Sequence, residues 1–236
     1  MKLKSIVLVS AALLAGSLPV FAKKSSAKKF AVNAEESAVL YLTFDSENEA
    51  GFTYKGSPVK GEGLNGQALV FDGQDDYLEL DKKILEGEGL TFSVNIKAES
   101  WSYWERIFDF GNGSDCDVWL GYDQATKALR LAAGRASALA PLPPVNEWTN
   151  VTVTFGEKNA VIYVNGKLSQ KLSIGVSPQK VLASVKGIYV GKSNWNDPMF
   201  KGSMDDIFIA TRVFSAEEVA SLAAGIVDTS SIGYQK

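Results

Sequence analysis

From Leu90 to Lys97 the chain reads LTFSVNIK, with apolar and polar residues strictly alternating. That is the pattern of a strand with one face buried and one face wet. Trp148–Phe155 repeats it through Thr149, Val151, Val153 and Phe155. From Val39 onward, short apolar segments of this kind are separated by Gly, Asn, Asp and Pro. The pattern predicts strands over 39–44, 67–71, 77–80, 90–97, 105–110, 117–122, 128–133, 148–155, 160–165, 167–172, 187–191 and 204–211. Asn165-Gly166, between two of these, predicts a two-residue type I′ hairpin turn. Ser215 and Glu218 have the spacing of a capping box and predict a short C-terminal helix over Val219–Ala224. Many short strands with a single helix predict an all-β fold, a two-sheet antiparallel jelly-roll sandwich, in one domain over residues 38–225.

The stretch 187–219 organises the end of the chain as a strand, a polar loop, a second strand and a helix start. In the second strand, parity places Asp205 with Ile207, Ile209 and Thr211, and Asp206 with Met204, Phe208 and Ala210. A carboxylate on an apolar face requires a cation or strong donors, so Asp205 is a candidate ion ligand.

The ends have a different texture. Lys2 and Lys4 precede the apolar run Ile6–Leu14, and small residues follow at Val20-Phe21-Ala22; residues 1–22 read as a signal peptide. The run is too short to span a bilayer, no later stretch qualifies, and no cysteine follows it to carry a lipid. The expected location is exported, either periplasmic or extracellular. Residues 23–37, rich in Lys, Ser and Ala, read as a flexible linker, and 226–236 as a tail.

Without residues 1–22 the chain has 22 basic and 27 acidic residues, a net charge of −5, which argues against nucleic acid as a partner. It contains no histidine, which removes Ser–His and Cys–His nucleophiles, His-ligated zinc and histidine proton shuttles together. Cys116 is the single cysteine, so no internal disulfide forms, and its neighbours Asp115 and Asp117 disfavour a thiolate.

Seven segments in order, AVLYLTFD (38–45), GQALVFDGQDDYLEL (66–80), LTFSVNIKAESW (90–101), WERIFDFGNGS (104–114), EWTNVTVTF (147–155), AVIYVNGKL (160–168) and the stretch 191–222, resemble the laminin-G-like, concanavalin A-like jelly-roll modules of secreted bacterial proteins. The resemblance implies two antiparallel sheets, carbohydrate binding and, in many members, a structural Ca²⁺. In that family an acidic residue ending the first strand and one beginning the last long strand hold the ion; here those places are Asp45 and Asp205. The alternative for both is a turn or cap residue bonded to backbone N–H groups.

Sugars offer apolar C–H faces ringed by hydroxyls, so aromatic rings flanked by Asn, Asp or Arg suit them. Three groups qualify: Trp101, Tyr103, Trp104 and Arg106; Asp115, Asp117 and Trp119; and Asn194, Trp195, Asn196 and Asp197. Trp119 and Trp148 lie in strands and are expected in the core. Trp195 lies in a polar loop, as a ligand contact or a loop anchor. The carboxylate run of laminarinase-type glucanases of this fold is missing: Glu79-Leu80-Asp81 continues into Lys82, Lys83 and Ile84. A pair drawn from Glu105, Asp109, Asp115 and Asp117 stays open, with separations of about 5–5.5 Å for retaining or 6.5–9.5 Å for inverting chemistry.

The function expected is a carbohydrate-binding, lectin-like module with structural calcium and no catalysis. The alternatives are a glycoside hydrolase of the same fold and a protein-binding, envelope-associated domain.

Overall fold

The computed structural model describes residues 38–47, 49–113, 117–175 and 178–227. The expected signal peptide and linker lie outside the described residues, as do Asp115 and Cys116. Two antiparallel sheets stack face to face. The back sheet runs β13 (Lys167–Ser173), β12 (Asn159–Val164), β11 (Thr149–Phe155), β6 (Leu90–Ala98), β15 (Lys201–Ala210), β4 (Gln67–Asp72) and β3 (Val59–Glu62), with β1 (Ala38–Leu42) also paired to β15. The front sheet runs β10 (Ala136–Ala140), β9 (Ala128–Ala133), β8 (Val118–Asp123), β7 (Arg106–Gly111), β14 (Gly187–Val190), β5 (Tyr77–Leu80) and β2 (Phe52–Lys55). Among the described residues no helix is long and apolar enough to cross a membrane.

The alternating positions fill the space between the sheets. Phe92, Val94 and Ile96 of β6 and Val151, Val153 and Phe155 of β11 meet Phe108 and Phe110 of β7 and Val118 and Leu120 of β8 in one buried cluster. The Phe92 ring centre lies 4.4 Å from that of Phe108 and 5.9 Å from that of Phe110, which ties the two sheets together. The Asn165-Gly166 turn joins β12 to β13 with both residues at positive φ, 49° and 72°, as a type I′ turn requires.

The polar phase of the back sheet is also covered. Ser93, Asn95, Asn150 and Thr152 form a buried hydrogen-bonded ladder, with Thr152 Oγ1 donating to Ser93 Oγ at 2.8 Å and Asn150 Nδ2 to Asn95 Oδ1 at 3.0 Å. Beside it, α2 (Ala216–Ala223) presses Val219 and Leu222 onto Phe208, Phe214 and Tyr163. The expected capping box is present: Glu218 N–H donates to Ser215 Oγ, and Ser215 N–H to the Glu218 carboxylate.

The fold departs from the sequence expectation in places. β2, β3, β10 and a second helix, α1 (Pro178–Leu182), were not expected. β2 and β3 are four residues each at sheet edges with no clear alternation, and β10 is ASALA, a poor strand former. The parity of Asp205 also differs. Asp206 sits at φ 51° in a β-bulge, so Asp205 pairs with Asn95 and Phe208 with Ser93, on the outer face. Met204, Ile207 and Ile209 all face the core, which needs the one extra residue. Asp205 is therefore on the opposite side of the sheet from Ile207 and Ile209.

Candidate functional site

The turn before β7 sorts its aromatic residues. Glu105 N–H donates to Ser102 O at 2.9 Å, and the buried Glu105 carboxylate accepts from Ser102 N–H at 2.8 Å. Trp104 takes a left-handed φ of 66°. Trp101 turns inward, donating from Nε1 to Pro143 O at 3.0 Å and packing near Tyr122 and Phe200. Tyr103 and Trp104 turn outward, stacked with ring centres 4.7 Å apart. Of the four residues predicted together here, Trp101 is thus structural, and Tyr103 backs the ring of Trp104.

Arg106 opens β7 ahead of a bulge, so it shares the outer face of the front sheet with Asp109. Successive register partners set out a row across that face: Ala132, Trp119, Asp109, Tyr189 and Glu79. Gly121, opposite both Arg106 and Arg130, leaves the space Arg106 needs; a Cβ there would collide with the Glu105 carbonyl and press on the arginine stem. Arg106 consequently lies along the sheet with its guanidinium 3.8 Å from the Trp119 ring centre and 5.3 Å from that of Trp104. Its Nη1 donates to Trp104 O at 2.6 Å. Arg130 of β9 reaches the same rings at 5.5 and 5.9 Å.

The β14–β15 loop folds over this face. Asn194 donates from its backbone N–H to Asp109 Oδ2 (3.1 Å), and from Nδ2 to Asp109 Oδ1 (2.9 Å) and Gly187 O (3.3 Å). Burial pushes the Asp109 carboxyl up, against the lowering pull of the Asn194 bonds and Arg106. Ser193 Oγ donates to Asp197 Oδ2 at 2.8 Å and accepts from Trp195 N–H at 2.9 Å. Asp197 Oδ2 then stands 3.5 Å from Arg106 Nη2. Asn194 is therefore an anchor, Trp195 stands 57% exposed at the rim, and Asn196 points to solvent.

The result is a cleft of about 390 Å³ walled by Trp104, Trp119, Trp195, Arg106, Arg130 and the carboxylates Asp117 and Asp197. Asp117 is held by Asn112 N–H at 2.8 Å and fits only because Gly111 beneath it has no Cβ. The three groups of residues singled out in the sequence each send members here. Trp119, expected in the core, is instead half-buried in the cleft floor; Trp148 is half-buried elsewhere. Arg130 was missed, although it holds the polar phase of the alternating β9 segment ALRLAA.

Of the carboxylates considered for hydrolysis, Glu105 lies beneath the turn, where burial pushes it up to about 7. Asp109 lies beneath Asn194, and Asp117 lines the cleft with Asp197.

Asp45 and Asp205 meet the same turn, Gly63–Gln67, at the seam where β15 passes from β4 to β1. Asp45 Oδ1 accepts from Gln67 N–H at 2.8 Å; Asp205 Oδ2 accepts from Leu64 N–H at 2.9 Å and Oδ1 from Asp206 N–H at 2.8 Å. Gly63 and Gly66 let both acids approach. Burial, with the like charge of Asp206, pushes the Asp205 carboxyl up to about 6. Separately, Asp72, Asp75 and Asp76 bring carboxylate oxygens within 4.8 Å of one another, a group that could bind a metal ion.

Similarity to known proteins follows this architecture. The sequence profile of the concanavalin A-like lectin/glucanases superfamily matches residues 72–220. No curated protein sequence matches the chain. Among solved structures, domain 4 of AbnA, a GH43 extracellular arabinanase from Geobacillus stearothermophilus in complex with arabinotriose, is 19% identical with a TM-score of 0.65, covering 80% of this chain and 100% of that one. Botulinum neurotoxin type C, whose cell entry is dependent upon interaction with two ganglioside molecules, is 17% identical, with a TM-score of 0.59, covering 84% of this chain and 53% of that one. The binding domain of botulinum neurotoxin DC in complex with rat synaptotagmin II is 15% identical with a TM-score of 0.57, over 84% and 53%. This chain spans about half the length of those toxin chains, and at these identities the likeness is one of fold. With the two-sheet jelly roll and the profile match in agreement, this chain belongs to the concanavalin A-like lectin/glucanases superfamily.

Proposed function

We propose that this chain is an exported carbohydrate-binding domain whose glycan seats between Trp104, Trp119 and Trp195. One observation carries the reading: rings from three separate segments converge on one cleft with two guanidiniums and two carboxylates. A sugar ring presses its C–H face on an indole while its hydroxyls bond to Asp117, Asp197 and the arginines. Similar folds that hold arabinotriose or engage gangliosides support the ligand class by analogy.

Export rests on the segment 1–22, and N-terminal sequencing of the mature protein tests it. We further propose a structural calcium ion held by Asp45 and Asp205. Both offer the hard oxygen ligands calcium takes, they share one turn, and a cation would offset the Asp205–Asp206 repulsion, so the residues fit. Such an ion, tying the first strand to the last, would supply stability rather than chemistry.

The test is a glycan array probed with the full chain, alongside a circular dichroism check of folding. Binding that falls about tenfold or more in Trp119→Ala, with the fold intact, supports the reading. Absence of binding to every glycan by folded protein overturns it.

A further inference from the structure

Among the described residues only three buried side-chain nitrogen or oxygen atoms lack a hydrogen-bond partner, and two of them are Arg106 Nε and Arg130 Nε in this cleft. Buried donors left open in this way ask for an acceptor. The protein's own carboxylates do not supply it at close range. Arg106 Nε is 3.7 Å from Asp109 and its Nη2 3.5 Å from Asp197, while Arg130 Nη1 is 3.4 Å from Asp123. Charge-assisted pairs close at about 2.7–2.9 Å. Each of those acids is bonded elsewhere at shorter range: Asp109 to Asn194, Asp197 to Ser193, and Asp123 to Ala125 N–H at 2.9 Å.

Two guanidiniums, one with its side chain only 5% exposed, are therefore held over the Trp119 ring with N–H groups unspent and like charges side by side. A neutral hydroxyl offers a single acceptor oxygen and no charge to set against the guanidiniums. A carboxylate accepts a fork of two and relieves the repulsion as well.

We infer that the glycan recognised here contains an acidic sugar whose carboxylate is bound by Arg106 and Arg130 while its ring stacks on the cleft tryptophans. The inference rests on the carbohydrate-binding reading of the same cleft.

The experiment pairs acidic oligosaccharides containing glucuronate, galacturonate, mannuronate or sialic acid with the same compounds after reduction of the carboxyl to a primary alcohol. Affinities for the full chain are measured by calorimetry. The expected result is at least one acidic compound that binds about tenfold or more tighter than its reduced counterpart. Arg130→Gln should abolish that preference, weakening the acidic compound by far more than its reduced counterpart; its side chain is 30% exposed, so the fold tolerates the change. Arg106→Lys, which keeps the charge and loses the fork, should weaken the preference in the same direction. Equal affinity for both members of every pair overturns the acidic-sugar inference and leaves the carbohydrate reading standing. Binding only to neutral glycans does the same, and binding to no glycan overturns both.

Discussion

The Arg106 guanidinium rests 3.8 Å from the centre of the Trp119 ring, and neither residue reaches that position without the other strand. Trp119 contributes a flat apolar floor, and Arg106 covers part of it with a cation. The pair makes a surface that is both stackable and hydrogen-bonding.

Trp119→Ala removes that floor, and Trp101→Ala removes a packing residue, so the two should separate. The first should lose about tenfold or more in glycan affinity with little change in melting temperature. The second should lose on the order of 2–4 kcal/mol of stability, read by denaturant unfolding, because Trp101 packs on Tyr122 and Phe200.

Asn194 holds the loop by four bonds, two of them to the buried Asp109 carboxylate. Asn194→Ala strips the side-chain donor from a buried acid and should cost about 1–3 kcal/mol. Amide exchange at residues 193–197 should accelerate, and glycan affinity should fall with it, because Trp195 and Asp197 lose their placement.

Glu105 makes the fold sensitive to alkali. Its folded value, about 7, lies above its ordinary 4.5, so the folded state holds the extra proton between those values. Its contribution is full below about 4.5 and is lost as pH rises through about 7. The melting temperature should therefore decline from pH 5 to pH 8, and Glu105→Gln should flatten that decline.

Calcium should act in the opposite sense. Asp205, pushed up to about 6, holds a proton in the folded state at pH 5 that a cation must displace. Millimolar calcium should raise the melting temperature at pH 8 more than at pH 5. Asp205→Asn should remove the calcium response. A wild-type melting temperature indifferent to calcium and to EDTA would refute the ion site.

Much of the sandwich was legible because its longest strands alternate cleanly, and because Asn165-Gly166 and Ser215–Glu218 carry their own local chemistry. Short edge strands such as β2 and β3 are held by neighbours rather than by pattern, so they left little trace. Asp205 was placed on the wrong face because parity counts residues, and the bulge at Asp206 adds one that no residue type announces. Trp119 misled for a related reason. In Val118-Trp119-Leu120 every residue is apolar, so alternation could not say which face was covered. The three aromatic groups were each visible locally, but their meeting depends on strand register and on the Asn194–Asp109 bonds, which link residues 85 positions apart.

Both β1 and α2 belong to the back sheet layer, whereas the cleft opens on the outer face of the front sheet. β1 and α2 thus lie on one flank, and the cleft opens on the other. A partner resting on β1 or α2 would therefore leave the mouth of the cleft uncovered, because the whole thickness of the sandwich lies between them.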